Sequence, residues 1–329
     1  MTDVGWAILG TGGIAAAMAT TLAGVPEATL VAVGSRREES ARAFADRFGA
    51  PVASTYEEAV ASEDVDVVYV ATTNDLHAPL TLAAIDAGKA VLCEKPFALD
   101  VVQARTMVEA AAVADVFLME AMWMRYIPAF RRAEELVLDG VIGDVRFLSA
   151  DFSFPASPPP GRLYDRSLGG GGLVDVGIYP LTTAYAFLGA PSSFHAEAVL
   201  TEGGVDTQVV VVGVHEDARM SALTASIATD GSQTAVLMGT EGHLVFEPPA
   251  HHSQRLFLRR GLETVETIEL PHAGTGYEFE VAEVHDALVA GRRQSSVHDL
   301  DDTLAVLDTL DRIRAAIGVE FPKGVPGSE

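Results

Sequence analysis

The segment "GWAILGTGGIA", residues 5–15, limits the possible folds of this chain more than any other stretch. An apolar run is followed at once by a glycine-rich turn and then by residues with helical periodicity. Small residues at Gly10, Gly12 and Ala15 permit a tight turn and close packing of a helix against the strand before it. The pattern predicts the strand, turn and helix that open a doubly wound α/β sheet.

The rest of residues 5–119 supports a parallel sheet, because short apolar runs alternate with longer stretches of helical period. Each run is apolar on both faces, as in a sheet covered by helices on both sides. The sequence therefore predicts an N-terminal Rossmann domain over residues 1–120. The predicted strands are Gly5–Leu9, Leu30–Val33, Val52–Ala53, Val65–Ala71, Ala90–Cys93 and Val116–Met119.

Beyond residue 120 strand-like segments dominate, and short turns such as "HEDAR" join many of them. This pattern predicts a second α/β domain, residues 121–300, with a mostly antiparallel sheet. Within it we expect helices near 127–139 and 277–290. We also expect a final helix over residues 301–318, and one alternative is that this helix packs back on the first domain. In "QVVVVGV" both alternating faces are apolar, so we expect a partner subunit or further helices to cover the second face.

Composition excludes several classes of partner. The chain has 329 residues and a net charge of −24, which disfavours nucleic acids and anionic membranes. The single cysteine, Cys93, excludes an internal disulfide and fits a reducing compartment. The sequence shows neither a leader pattern nor a long uncharged apolar run, so we expect a cytoplasmic protein that is not in a membrane.

The glycine-rich turn also predicts a ligand. It is the G-x-G-x-x-A form of the dinucleotide fingerprint, in the required place between a strand and a helix. Backbone N–H groups at the start of that helix favour a pyrophosphate. The residues assigned to this part of the cofactor site are Gly10, Thr11, Gly12, Gly13, Ile14 and Ala15.

The end of the second strand bears on the choice between NADP and NAD. NAD-binding folds usually place an acid there, whereas this chain has Gly34 followed by Ser35, Arg36 and Arg37. A hydroxyl and two guanidinium groups suit a 2′-phosphate, so we predict NADP, with NAD as the alternative. A capping box formed by Ser35 and Glu38, with solvated arginines, is the competing interpretation.

Polar residues follow the next predicted strands, at the edge where ligands bind in such sheets. We assign this set to the cofactor site, although a lysine at a strand end is often only solvated. The residues are Thr72, Thr73, Asn74 and His77 after the fourth strand, and Glu94, Lys95 and Pro96 after the fifth.

A second cluster follows four consecutive glycines, Gly169 to Gly172, which predict an irregular loop. Asp175 and Tyr179 come next, four residues apart, and share a face if the segment is helical. The competing interpretation makes Tyr179 a core side chain and Asp175 a helix N-cap.

Together "GTGGIA", "CEKP" and "GGGGLVDVGIYPL" resemble the Gfo/Idh/MocA oxidoreductase family over nearly the whole chain. With "EAMWMRYIPA", the resemblance is closest to the branch of dimeric dihydrodiol dehydrogenase, NADP-dependent D-xylose dehydrogenase and glucose–fructose oxidoreductase. It implies a large open second sheet, assembly through that sheet as a homodimer or homotetramer, and often a cis Lys–Pro bond. It also implies that Lys95, Asp175 and Tyr179 are catalytic, although many members have histidine in place of Tyr179.

The chemistry fits these residues. Hydride transfer at a carbinol carbon needs a positioned acid or base, and a nearby ammonium lowers the tyrosine pKa from its usual value of about 10. Our hypothesis is that Tyr179 carries the proton, Lys95 tunes the tyrosine and hydrogen-bonds the substrate oxygen, and Asp175 orients a second hydroxyl. Aromatic and arginine side chains suit a sugar-binding wall. The residues assigned to it are Trp123, Arg125, Tyr126, Arg162 and Tyr164.

The sequence thus predicts an NADP(H)-dependent oxidoreductase acting on a sugar or cyclic polyol, similar to an aldose 1-dehydrogenase or a dihydrodiol dehydrogenase. The alternatives are a keto-sugar reductase of a biosynthetic pathway and a non-catalytic dinucleotide-binding regulator. We expect no metal site, since the pair His251 and His252 lacks a matching ligand cluster and is expected in an exposed loop.

Overall fold

The computed structural model describes residues 3–156 and 161–321, which form two compact units. The first unit extends to Trp123 and also includes Gly274–Leu304. The second unit comprises Met124–Ala273 and, among the described residues, 305–321. In this division residues 274–304 group with the first unit, whereas the sequence analysis places the domain boundaries at residues 120 and 300.

The first unit contains a parallel sheet of six strands within the described residues, in the order β3-β2-β1-β4-β5-β6. This confirms the predicted doubly wound sheet. Residues in β4 and β5 are buried throughout, because helices cover both faces of the sheet. The strands are β1 Val4–Leu9, β2 Ala28–Gly34, β3 Val52–Ser54, β4 Val67–Val70, β5 Ala90–Glu94 and β6 Leu118–Ala121.

Strand order reverses beside β1, so the segments that follow β1 and β4 begin at the usual ligand-binding edge of such a sheet. Asp100 caps α5 by accepting from the N–H of Gln103, as its position before the helix predicts. The helices of this part are α1 Gly13–Leu22, α2 Glu38–Phe48, α3 Tyr56–Ala61, α4 His77–Asp86 and α5 Val101–Ala114.

The second unit contains a sheet that has eight strands in the part of the chain described, in the order β14-β13-β12-β11-β7-β10-β9-β8. Its neighbours are antiparallel except for β7 and β10, which confirms the predicted mostly antiparallel sheet. The strands are β7 Val145–Ser153, β8 Ser193–Leu200, β9 Asp206–Val214, β10 Met220–Ser226, β11 Ala235–Gly239, β12 His243–Phe246, β13 Arg255–Arg260 and β14 Glu263–Glu269.

The remaining helices are α6 Pro128–Leu138, α7 Ile178–Leu188, α8 Glu278–Val289 and α9 Leu300–Ala316. The segment that contains α8 joins the first unit through contacts with its sheet. Trp6 in β1 donates to His285 at 3.1 Å, and the N–H of Leu118 in the edge strand β6 donates to the carbonyl of Arg293 at 3.0 Å. From Ala305 onward α9 belongs to the second unit, where the hydroxyl of Tyr185 donates to the Ala305 carbonyl. Among the described helices, none is long and apolar enough to cross a membrane.

Candidate functional site

The glycine-rich turn lies at the end of β1, and α1 begins at Gly13. Gly10 has a φ of +119°, and a Cβ there would meet the Ala71 carbonyl oxygen at 2.3 Å, so only glycine fits. At Gly12 and Gly13 an added Cβ would meet nothing in the described chain within 4 Å. The start of α1 has neither a side-chain cap nor an acidic first turn among the described residues, which leaves its N–H groups for an anion.

At the end of β2, Gly34 is tightly enclosed, since an added Cβ would meet a methyl carbon of Leu9 at 2.8 Å. Ser35 is buried, whereas Arg36 and Arg37 are exposed. The N-cap of α2 is Arg37, so the capping box proposed for Ser35 and Glu38 is wrong. The Ser35 hydroxyl instead accepts from the N–H of Arg37 at 3.4 Å.

The segment after β4 carries Thr72 and Thr73, both half-buried, and then the buried Asn74 at the start of a short 3-10 turn. His77, the first residue of α4, donates from Nδ1 to the carbonyl of Pro96 at 2.8 Å. Burial lowers the pKa of His77, so the ring is neutral and Nε2 carries no proton. This hydrogen bond joins the residues after β4 to those after β5.

The end of β5 is organised around Glu94, a buried residue that accepts from the hydroxyl of Tyr69 and from the N–H of Lys95 at 3.1 Å. Burial, followed by the nearby Glu94, raises the pKa of Tyr69 well above its usual value. Lys95 is half-buried, and the Lys95–Pro96 peptide bond is cis, as the resemblance implied. The predicted cofactor residues after β4 and β5 are therefore brought together at one edge of the sheet.

In the second unit the glycine run leads into a π-helical turn, Leu173–Gly177, which continues directly as α7. The turn is held by Asp206, which accepts from the N–H of Leu173 at 2.5 Å. Gly171 has a φ of +149°, and a Cβ there would lie 2.4 Å from the Asp206 carboxylate. Burial raises the pKa of Asp206, although its backbone hydrogen bonds act in the opposite direction.

Asp175 lies inside this π-helical turn and is 6% exposed. The interpretation of Asp175 as an N-cap is therefore wrong. Its carboxylate pairs with Arg162, whose Nη1 is 2.9 Å from Oδ1. Tyr179 lies in the first turn of α7 and is 8% exposed. The segment is helical throughout, which is the condition under which Asp175 and Tyr179 share a face. Helical turns of the π type are frequent at functional sites.

Two aromatic residues that sequence reasoning missed lie beside Tyr179. The ring of His251 stacks on Phe152 with centroids 4.1 Å apart, and the Tyr179 ring lies 5.0 Å from Phe152 and 5.4 Å from His251. His251 is half-buried, so its predicted place in an exposed loop is wrong. A small recess of about 20 Å³ is lined by Tyr179, His251 and Met124, among others. In the sequence, the adjacent pair His251 and His252 was the only available sign of this aromatic cluster. It was not sufficient, because the ring contacts of His251 form only when the sheet folds.

The residues predicted to form the substrate wall differ from one another in their burial and in their contacts. Trp123 packs at 4.8 Å from the ring of Tyr277. Arg125 is buried and donates to Glu134 at 2.9 Å, which places its guanidinium within the second unit. Tyr126 is likewise buried. Tyr164 is half-buried and donates to the Ile227 carbonyl at 3.3 Å.

Across the described ranges, no group of three or more His, Cys, Asp or Glu side chains could hold a metal ion.

Comparison with known proteins places this arrangement in a family. Residues 4–122 match the oxidoreductase family with an NAD-binding Rossmann fold, and residues 130–245 match the Gfo/Idh/MocA C-terminal domain. The chain belongs to the Gfo/Idh/MocA family. It is accordingly an NAD(P)-dependent oxidoreductase, as the sequence predicted.

Gfo/Idh/MocA relatives cover almost the whole chain. The trans-1,2-dihydrobenzene-1,2-diol dehydrogenase of Mus musculus is 35% identical and covers 97% of this chain and 98% of its own length. The enzyme of the same name from Homo sapiens is 32% identical, with 97% and 98% covered.

Solved structures of the family agree closely in fold. An aldose–aldose oxidoreductase from Caulobacter crescentus, crystallised with glycerol, has a TM-score of 0.88 at 27% identity and covers 95% of this chain and 97% of its own. A 3-ketoreductase from Actinomadura kijaniata, crystallised with NADP and TDP-benzene, has a TM-score of 0.87 at 27% identity, with 96% and 98% covered.

Proposed function

We propose that this protein is an NADP(H)-dependent dehydrogenase of a sugar or a cyclic polyol. The observation that carries the proposal is the arrangement of Arg162, Asp175 and Tyr179 in the second unit. A buried carboxylate paired with a guanidinium, and a tyrosine one helical turn later, suit a substrate with neighbouring hydroxyl groups. Relatives named as dihydrodiol dehydrogenases and an aldose–aldose oxidoreductase support this substrate class.

The residues at the end of the first unit's strands fit a dinucleotide. The uncapped start of α1 and the open space at Gly12 and Gly13 suit a pyrophosphate. Gly34 has no acidic side chain to accept from a ribose 2′-hydroxyl, and an added side chain there would displace a methyl group of Leu9, whereas Arg36 and Arg37 are exposed for a 2′-phosphate. When bound, the nicotinamide supplies or accepts the hydride.

The catalytic roles stay those of the sequence hypothesis. Tyr179 exchanges the proton of the reacting hydroxyl, and Asp175 accepts from a second hydroxyl of the substrate. Lys95 stabilises the deprotonated form of Tyr179 and hydrogen-bonds the reacting oxygen. The proposed substrate wall consists of Trp123, Arg125, Tyr126, Arg162 and Tyr164. Support for this assignment comes from family membership and from the order of the motifs along the chain.

The second candidate is reduction of a keto sugar. It is favoured by the 3-ketoreductase of Actinomadura kijaniata, whose fold this chain shares over nearly its whole length. The same residues serve that direction, because a proton donor to the developing alkoxide is the reverse of the base that removes it.

The test measures absorbance of reduced nicotinamide with NADP or NAD against pentoses, hexoses and trans-1,2-dihydrobenzene-1,2-diol. We expect turnover with at least one of these compounds, and kcat/KM at least about tenfold higher with NADP than with NAD. Tyr179→Phe and Lys95→Met should each lower kcat by about a hundredfold or more, since each removes a group needed in the transition state.

Other outcomes separate the alternatives. NADP binding without turnover of any compound in either direction favours a regulator. Turnover only of keto sugars with NADPH favours the reductase. Near-normal turnover of Tyr179→Phe with loss in Lys95→Met transfers the proton role to Lys95.

We also propose that the protein is a cytoplasmic homodimer, with a homotetramer as the alternative. The outer face of the eight-stranded sheet carries exposed apolar side chains, which a second copy can cover. The single cysteine of the chain, Cys93, is buried, and burial raises the pKa of its thiol, which suits a reducing compartment.

A further inference from the structure

The three residues Lys95, Pro96 and Phe97 are held by hydrogen bonds to buried side chains. The N–H of Lys95 donates to Glu94 at 3.1 Å, and the N–H of Phe97 donates to Oε1 of Glu120 at 3.2 Å. Between them, the carbonyl of Pro96 accepts from His77 at 2.8 Å. The backbone on both sides of the Lys95 side chain is therefore fixed by Glu94 of β5, Glu120 of β6 and His77 at the start of α4.

Glu120 is itself held by the C-terminal part of the first unit. Its other oxygen, Oε2, lies 3.1 Å from Nε2 of His298 and accepts from the hydroxyl of Thr303 at 3.0 Å. Glu120, His298 and Thr303 are 1%, 2% and 0% exposed. A carboxylate buried to this extent needs several donors to be stable, and here each of its oxygens accepts at least one hydrogen bond.

We propose that Glu120, His298 and Thr303 are positioning residues for Lys95. Without the Glu120 acceptor, the buried N–H of Phe97 would have to find another partner, and the turn that carries Lys95 would move. A displacement of about 1 Å at a reacting group can cost about a hundredfold in rate. The inference rests on the proposed function, in which Lys95 acts on the reacting oxygen.

The first test compares Glu120→Gln with Glu120→Leu. The glutamine oxygen still accepts from Phe97, and its amino group can donate to His298 once the ring proton moves to Nδ1, which faces Asp302 at 3.6 Å. We expect Glu120→Gln to keep kcat within about threefold of wild type. Glu120→Leu should lower kcat about thirtyfold or more while KM for NADP stays within about threefold. The assays use a panel compound that the wild type turns over, and each rate is divided by the concentration of folded protein.

Thr303 offers a milder pair of variants in case Glu120→Leu does not fold. Thr303→Val removes one donor to Glu120 at nearly constant side-chain shape and should lower kcat about fivefold. Thr303→Ser keeps the hydroxyl donor, so its kcat should stay close to that of the wild type. In a Lys95→Met background, measured in single turnovers at high enzyme concentration, Thr303→Val should have no further effect. That loss of effect is expected only if Thr303 acts through Lys95.

Failure of the inference and failure of the proposed function are distinguishable. Loss of activity in Lys95→Met with wild-type kcat in Glu120→Leu and Thr303→Val overturns the positioning role alone, even if both variants melt at lower temperature. Equal effects of Thr303→Val with and without Lys95 overturn it as well. Normal turnover of Lys95→Met, or no turnover of any panel compound, overturns the proposed function and this inference with it.

Discussion

At the scale of single residues, Glu280 is the most unusual group in the first unit. It is a helix residue of α8 with no exposed surface, and its carboxyl oxygens have no hydrogen-bond partner within the described ranges of the chain. Burial, and then the nearby Glu94, raise its pKa well above the usual value. Glu280 is therefore protonated in the folded protein at pH values where it is ionised in the unfolded chain.

This difference predicts how stability depends on pH. Above the ordinary glutamate pKa the unfolded chain releases the Glu280 proton while the folded protein keeps it, so the wild type loses stability as pH rises towards the raised pKa. Glu280→Gln does not titrate. The free energy of unfolding of Glu280→Gln, relative to that of the wild type, should therefore increase by up to about 1.4 kcal/mol for each pH unit above the ordinary glutamate pKa. Denaturant unfolding between acidic and neutral pH measures this difference.

The exposed Glu39 of α2, changed to Gln, is the matched control and should show a difference from wild type that stays flat with pH. A flat difference for Glu280→Gln as well would mean that Glu280 is ionised in the folded protein.

At the scale of elements, the helical segment with Asp175 and Tyr179 depends on one carboxylate from a distant strand. Asp206, the first residue of β9, accepts from the N–H of Leu173 where the π-helical turn begins. Helix starts leave N–H groups without intrahelical acceptors, and here the acceptor comes from another element. Side chains at Gly171 would collide with it, so the glycine run and Asp206 form one structural feature.

Asp206→Ala removes this acceptor and leaves the buried Leu173 N–H unpaired. We expect the free energy of unfolding to fall by about 1–3 kcal/mol, and kcat to fall as well because the segment with Tyr179 shifts. Thermal melts and steady-state kinetics measure the two effects. The exposed Asp230, changed to Ala, is the control and should change neither. Unchanged kcat in Asp206→Ala would show that the segment keeps its position without this acceptor.

At the scale of the whole molecule, the outer face of the second sheet is the feature that most needs a partner. Its rows of side chains continue across the strands, because directly paired residues point to the same face. One row is Val212, Ala222, Ser149, Val236, Val245 and Phe257. Val210, Val212 and Val214 are 49%, 38% and 37% exposed, so β9 presents alternate valines to this surface.

A lysine at this face should separate the proposed dimer. Val212→Lys places a charge that has to be desolvated in the interface, so we expect a shift towards monomer at micromolar concentration. Sedimentation velocity distinguishes the two species. Val113→Lys, at a valine of α5 that is 89% exposed, is the matched control and should leave the assembly unchanged. A dimer of unchanged stability in Val212→Lys would place the interface elsewhere.

Much of the fold could be predicted because its signals are local. Runs that are apolar on both faces predicted the parallel sheet, and short turns predicted the antiparallel one. The strand β8 was not predicted, although its residues alternate between polar and apolar from Ser193 to Ala198. The edge where Thr72, His77 and Lys95 meet was predicted as well, because parallel strands bring their carboxyl ends to one side of a sheet.

The networks around the predicted site residues could not be predicted. Glu120 and His298 are 178 residues apart in the chain, and Leu173 and Asp206 are 33 apart. Hydrogen bonds over such separations leave no periodic pattern. The amino-acid sequence was thus sufficient for the fold, the family and the residues proposed for the chemistry, since these depend on local periodicity and motif spacing. The buried partners that hold those residues in place became visible only in the folded chain, because tertiary packing alone brings distant side chains into contact.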